Sequence, residues 1–384
     1  MQRSVERILT THCGSLARPK DLLDLMKVKV HGEPYDHDVY ASCVRSAVAE
    51  SVRKQIESGV DIITDGEQSK PGFFTYVNER LTGFTPKPNA RFTMFADEVA
   101  AFPEYYEQYF KQAMLGGSVA PIIPLACTGP VSYQGHDVLR QDIENLKAAL
   151  VGVRPAAVFM PAVAPSGVGM NEYYRTEEEY LYAVAEALRT EYQAIVDAGF
   201  LVQIDDPFLT DIYSDSSLNA VEKRNRAEMY VRALNHGLRG IPAEHVRFHT
   251  CYGINEGPRV HDAQLQDVLD AMLKVNAGAY SFEAANARHE HEYHIWETVK
   301  LPEGKVLIPG VITHASNIVE HPELIAERII RYTKLVGREN VIAGADCGFS
   351  SQATYHPEVH PTIVWAKFQA MAEGARLATQ QLWG

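Results

Sequence analysis

Cysteine is scarce in this chain. Its 384 residues contain five, Cys13, Cys43, Cys127, Cys251 and Cys347. An odd number spread this widely is a poor basis for a disulfide framework, so each is expected as a free thiol or a metal ligand. Long apolar runs are also missing. Proline breaks the most apolar stretch, VAPIIPLACTGPV (119–131), before it could span a bilayer. The first residues, MQRSVERILTTH, lack the apolar core of a secretory signal. A cytoplasmic protein with no membrane partner is expected. Positive charge is in deficit too, with a formal net charge of −13. Nucleic acids and anionic membranes reward basic stripes, and none is visible. The expected partners are therefore small molecules, and nothing in the composition excludes a homo-oligomer. Internal repeats and low-complexity linkers are absent.

What is present is the mix of a folded globular protein, 46% hydrophobic and 22% charged. Short β-branched runs alternate with long helical patterns. The strand candidates are 8–15, 61–67, 156–162, 201–207, 245–251, 278–284, 305–311 and 340–347. Between them lie amphipathic segments such as DVYASCVRSAVAESVRKQIESG, EEEYLYAVAEALRTEYQAIVDAG and PELIAERIIRYTKLVG, each closing on glycine. Eight such units predict an α/β fold, a (β/α)8 TIM barrel, as a single catalytic domain over 1–384. The run PIIPLACTGPVSY (121–133) is then an excursion outside the barrel. Residues 85–120, rich in Pro, Gly and aromatics, read as a lid or side insertion, so the inserted region spans about 85–133.

Polar residues interrupt nearly every predicted strand at its C-terminal end: Ser15, Glu67, Asp205, His249 with Cys251, Glu283 and Cys347. In a parallel barrel those ends surround one mouth, where this fold places its chemistry. Side chains alternate along a strand, so His249 and Cys251, two apart, face the same way. With Glu283 and Cys347 they offer nitrogen, two sulfurs and oxygen, a set that suits Zn²⁺ and is too soft for Mg²⁺ or Ca²⁺. Structural zinc sites usually draw on short C-x₂₋₄-C loops, whereas Glu283 lies 32 residues beyond Cys251 and Cys347 a further 64, as an active-site ion would require. Each residue taken alone has a plainer reading, since a buried Cys is an ordinary small hydrophobe. Cys13 is read that way. His314, just past a strand end in PGVITHAS, is the candidate general acid, with His12 as an alternative. Arg18 in GSLARP could pair with a substrate carboxylate or sulfonate, or simply cap a loop. The run RHEHEYH (288–294) is expected to be a solvated helix start, and HPEVHP (356–361) to line the mouth.

The ordered motifs THCGSLARP, DIITDGEQ, LVQIDDP, HTCYG, YSFEA, IPGVITH and GADCGF cover almost the whole chain. Together they resemble the cobalamin-independent methionine synthase family, in its short single-barrel form. DGEQSKPGFFTYVNERLTGF is also similar to the branch containing epoxyalkane:coenzyme M transferase, another zinc enzyme that alkylates a thiol. The resemblance implies a Zn²⁺ cofactor on His249, Cys251, Glu283 and Cys347, with Glu283 displaced when the substrate thiol binds. It implies that Gly14 and Ser15 hold a substrate carboxylate and that Glu67 and Asp205 hold the amino group of homocysteine. The zinc-bound thiolate would then attack a methyl donor, giving methionine. Two departures stand out: Asp205-Asp206 where the family usually reads Asp-Glu, and a longer spacing between Cys251 and Glu283 than the family pattern. The folate-gripping N-terminal half is also missing, which argues against a polyglutamylated folate donor.

A zinc-dependent thiol S-methyl or alkyltransferase is thus the leading expectation. Alkylation of a coenzyme M-like thiol by an epoxide is the alternative within that class. A metal-free lyase on the related uroporphyrinogen decarboxylase-like barrel would want arginine clusters instead of His/Cys ligands. A non-enzymatic thiol or zinc carrier would bind without turnover.

Overall fold

The computed structural model describes residues 1–88, 95–112, 117–120, 122–253 and 256–384. Seven parallel strands lie side by side in the order Ile62–Ile63, Ala157–Val163, Leu201–Asp205, Val246–His249, Ala279–Phe282, Val306–Ile312 and Gly344–Ala345. The predicted first strand closes the sheet on itself. Thr10 bridges Ala343 in parallel, and Thr11 bridges Ile62. The result is a (β/α)8 barrel, as predicted.

The helices form where the sequence supplies both an apolar face and a cap. Asp36 accepts from the backbone N–H groups of Asp38 and Val39 to start His37–Glu57, and Thr176 does the same for Glu177–Asp197 through Glu179. Gly59, Gly199 and Gly337, just past three helix ends, take positive φ, the conformation that stops a helix at least cost there. Inside the barrel, Leu9, Ile62, Phe159, Ala279, Val306, Ile308 and Ile342 form one buried layer. Above it Arg247 is fully buried, its guanidinium 3.8 Å from the Phe159 ring centroid. It donates to Thr11 Oγ1 and His12 O, each at 3.0 Å, tying the first strand to the middle of the sheet.

The excursion lies outside the barrel. Leu125–Cys127 pairs antiparallel with Phe84–Pro86 and parallel with Met170–Asn171, making a small side sheet. Within 85–120, the helices Ala96–Ala101 and Pro103–Gln112 carry a cluster of Tyr105, Tyr106 and Tyr109; residues 89–94 and 113–116 of that predicted lid lie outside the described residues, as does Pro121. Among the described residues no helix is long and apolar enough to cross a membrane.

Candidate functional site

A cavity of about 780 Å³ opens at the C-terminal ends of the strands. His249 ends its strand, Cys251 follows two residues on, and Cys347 lies two residues past Gly344–Ala345. One ligand atom from each of the three lies within 4.8 Å of the others, and all three side chains are buried at the cavity wall. The predicted trio therefore converges. His249 Nδ1 lies 3.7 Å from Cys13 Sγ, whereas Nε2 is buried without a hydrogen-bond partner. An orphaned buried nitrogen is costly unless something occupies it. Burial, reinforced by Arg247, pushes the His249 pKa down to about 3, so the imidazole is neutral, as a metal ligand must be. The Cys251 thiol is driven well above its ordinary range by its hydrogen bond to Cys347 and by burial. Two sulfurs and a neutral imidazole in this arrangement fit a zinc ion.

Glu283 is not in that trio. Its Oε2 lies 2.8 Å from Arg259 Nη2 and accepts from Asn286 Nδ2 at 2.8 Å, while Oε1 accepts from the Tyr252 N–H. It groups with His314 and Asp346, again with ligand atoms within 4.8 Å of one another. His314 is buried and is not among the residues that line the cavity. Burial pushes its pKa down to about 3, so the imidazole is neutral in the metal-free protein. His12 is no better placed: Nε2 faces Gln55 Oε1 at 2.8 Å and Nδ1 accepts from the Gly14 N–H.

Glu67 and Asp205 both line the cavity. Burial, and then the charge of Glu67, hold the Asp205 pKa well above the usual carboxylate range. Lys70 Nζ is 3.4 Å from Glu67 Oε2. Asp206, the departure from the family pattern, turns away and receives Ser166 Oγ and the Leu209 N–H at the start of helix Phe208–Ser214. Ser15 lines the cavity. Gly14 has φ +128°, and a Cβ there would come within 2.7 Å of Pro161 Cγ and 3.3 Å of Glu67 Oε1, so only glycine lets the chain pass the carboxylate. Arg18 takes the plainer of its two readings. Its buried guanidinium donates to the carbonyls of Leu16, Ser350, Glu67 and Lys70, leaving it as a clamp on the loops beneath the cavity.

Three further features extend or correct what sequence reasoning gave. Cys13 lines the cavity, donates to Ala345 O at 3.1 Å and is kept a neutral thiol by burial. Arg259 was invisible, although the long Cys251–Glu283 spacing marks the loop that carries it. His289, expected in a solvated helix start, is buried instead and stacks on Tyr252 at 3.9 Å. Against the penalty of burial, its bonds to Asp262 and Glu292 raise its pKa to about 9. His356 does reach the cavity wall, as expected for its segment. Glu67, Phe95 and Arg259 are the non-glycine residues with positive φ among the described residues. The first two line the cavity and the third holds Glu283, so the strained backbone gathers around this site.

The fold and the mouth define a class: a parallel barrel presenting buried sulfur and imidazole donors at the strand ends. Over residues 165–364 the chain matches the sequence profile of the cobalamin-independent synthase catalytic domain, and it belongs to that family. It is 23% identical over 357 residues to a methionine synthase of Sulfolobus acidocaldarius, covering 91% of this chain and 87% of that protein. With a methionine synthase of Saccharolobus islandicus the identity is 25% over 380 residues, covering 97% and 95%. The solved B12-independent methionine synthase from Shewanella sp. W3-18-1, in complex with selenomethionine, superposes with a TM-score of 0.73 at 18% identity, covering 98% of this chain and 99% of that one.

Proposed function

We propose that this protein is a zinc-dependent S-methyltransferase whose acceptor is a small amino-acid thiol, homocysteine. The observation that carries the reading is the convergence of His249, Cys251 and Cys347 on the cavity that also presents Glu67 and Asp205. The family membership and the names of the relatives support it. His249, Cys251 and Cys347 would hold the ion, with Glu283 as the fourth ligand when no thiol is bound. The chemistry zinc supplies there is ionisation of a substrate thiol, which is only about 3% thiolate at pH 7 when free. The protein's own residues do the rest. Glu67 and Asp205 receive the ammonium of the acceptor, because two carboxylates around one buried cation offset its desolvation. The same pair repels a sulfonate, which disfavours a coenzyme M-like thiol.

The test is direct. Protein purified in the presence of zinc should retain about one ion per chain and accelerate alkylation of homocysteine by methyl iodide, a donor that needs no recognition. Metal-free protein that alkylates as fast as loaded protein would end the reading.

Asp205 gives this assignment a pH signature. Its carboxyl binds a proton more tightly than an ordinary carboxylate because of burial and Glu67. An ammonium brought beside it pulls that pKa back down, so a proton should leave as homocysteine binds. Affinity should therefore rise with pH above the ordinary carboxylate range near 4. Calorimetry in two buffers of different ionisation enthalpy, on metal-free protein so that no thiol proton is displaced by zinc, would show the proton release, and Asp205→Asn should lose it; in the zinc-loaded enzyme the same variant should raise KM by about tenfold or more.

A further inference from the structure

We propose that the electrophile is a small methylsulfonium cation, bound in the outer part of the cavity between an aromatic box and a set of unpaired carboxylates. This rests on the thiol-alkylation reading above and adds the class of donor. Eight of the described lining residues are Asp or Glu, and none is Lys or Arg. Such a wall repels polyanions and concentrates cations.

The two outer elements are built together. On helix Phe208–Ser214, Phe208 and Asp211 are three residues apart and so share a face, and both line the cavity. Phe208 stacks on Phe73 at 6.4 Å and 23°, and meets Phe74 edge-on at 6.1 Å and 84°. Phe73 and Phe74 are themselves 4.9 Å apart at 70°. All three rings line the cavity, and aromatic rings are the groups that recognise onium cations. Asp211 borders this space with no hydrogen bond or ion pair to its carboxyl among the described residues, and desolvation, then the charges of Asp206 and Asp262, push its pKa up to about 7, as befits an acid that lacks a cation beside it. Asp97 and Asp215 also line the space, and neither has a cation within ion-pair distance among the described residues.

The chemistry balances without an acid. A lone pair of the acceptor thiolate forms the new S–CH₃ bond as the donor's C–S⁺ bond breaks. The bonding pair stays on the departing sulfur, which leaves as a neutral thioether. The thiolate's negative charge and the sulfonium's positive charge cancel, and no proton moves. A donor of this class therefore has no use for the expected acid, and His314 is not among the residues that line the cavity.

The experiment compares, on zinc-loaded protein with homocysteine, the acceleration over the uncatalysed reaction for trimethylsulfonium, neutral methyl iodide and anionic monomethyl sulfate. Separately, calorimetry measures binding of unreactive tetramethylammonium to the protein. The expected result is an acceleration for trimethylsulfonium exceeding that for methyl iodide by about tenfold or more, falling with ionic strength. Tetramethylammonium should bind, and Asp211→Asn and Phe208→Leu should each weaken its binding several-fold. Methyl iodide accelerated with no advantage for the sulfonium, or monomethyl sulfate preferred, would overturn the donor assignment and leave thiol activation standing. If no donor is accelerated, the thiol reading has failed, and tetramethylammonium binding alone still decides whether the cavity is a cation site: no binding overturns it.

Discussion

Cys251→Ser is expected to release the metal and to lower homocysteine alkylation at least about a thousandfold. The first part follows from ligand chemistry. A serine hydroxyl stays protonated where a cysteine becomes a thiolate, so the site falls from two sulfurs and an imidazole to one sulfur and an imidazole. Loss of a mere supporting contact around a metal typically costs 10–100-fold in affinity, and loss of a ligand should exceed about 100-fold. The second part adds two effects. Without the ion, a bound thiol returns to about 3% thiolate, roughly a 30-fold loss. Without an anchor for its sulfur, it also loses orientation, which is worth several orders of magnitude in well-aligned reactions. The fold should survive, because the substitution is nearly isosteric and Cys251 sits past the end of its strand. Cys43→Ser, on the outer helix His37–Glu57, is the matched control and should keep its metal. Since the metal-free Cys251 thiol is held protonated, zinc uptake by the parent protein should release protons and strengthen as pH rises. Zinc content after dialysis, read beside the alkylation rate, decides the matter: a serine variant that keeps both would remove the thiolate from the explanation.

The barrel and the His/Cys trio were legible because they follow periodicity. Seven of the eight expected strands appear as sheet strands, and the eighth, around Thr10 and Thr11, closes the barrel through isolated bridges. Alternation along a parallel strand and the common position of strand ends suffice to bring His249, Cys251 and Cys347 to one mouth. What periodicity cannot give is the partner of a long side chain. Arg18 shows this, since a guanidinium next to a substrate-binding turn looks the same in sequence whether it meets a ligand or four backbone carbonyls. His289 shows it again, because its burial depends on Tyr252 and Asp262, contributed by another loop. The aromatic box has no motif at all: Phe73 and Phe74 meet Phe208 only because two strand-end loops lean over the same mouth. The end of its strand sets where Glu283 lies, while the side it favours is decided by Arg259, in a loop where sequence offered only an unusual length.

Arg259→Met should therefore have the other large effect, and on two quantities of opposite sense. Arg259 is buried and held in a left-handed conformation with φ 57°. Its Nε donates to Asp262 Oδ2 at 2.7 Å, its Nη2 lies 2.8 Å from Glu283 Oε2, and its guanidinium sits 5.6 Å from the Tyr252 ring centroid. Removing the cation leaves two buried carboxylates facing one another across a vacated space, with protonated His289 bonded to Asp262 and acting on Glu283 only through its charge. Breaking one side of such a buried pair costs about 3–5 kcal/mol. Metal-free Arg259→Met protein should thus melt several degrees below the parent. Zinc should do the reverse. In the parent, Arg259 competes for the Glu283 carboxylate; in the variant that carboxylate is free to complete the ion's shell. Zinc affinity, measured by competition with a chelator at fixed pH, should rise, and zinc should raise the melting temperature of the variant more than that of the parent. The closed shell should in turn raise KM for homocysteine, since the thiol must now displace a more firmly held ligand. Arg259→Lys, which keeps the charge but loses the planar fork, should fall between the two. Equal zinc affinity in all three proteins would show that Arg259 holds Glu283 for the sake of the fold alone.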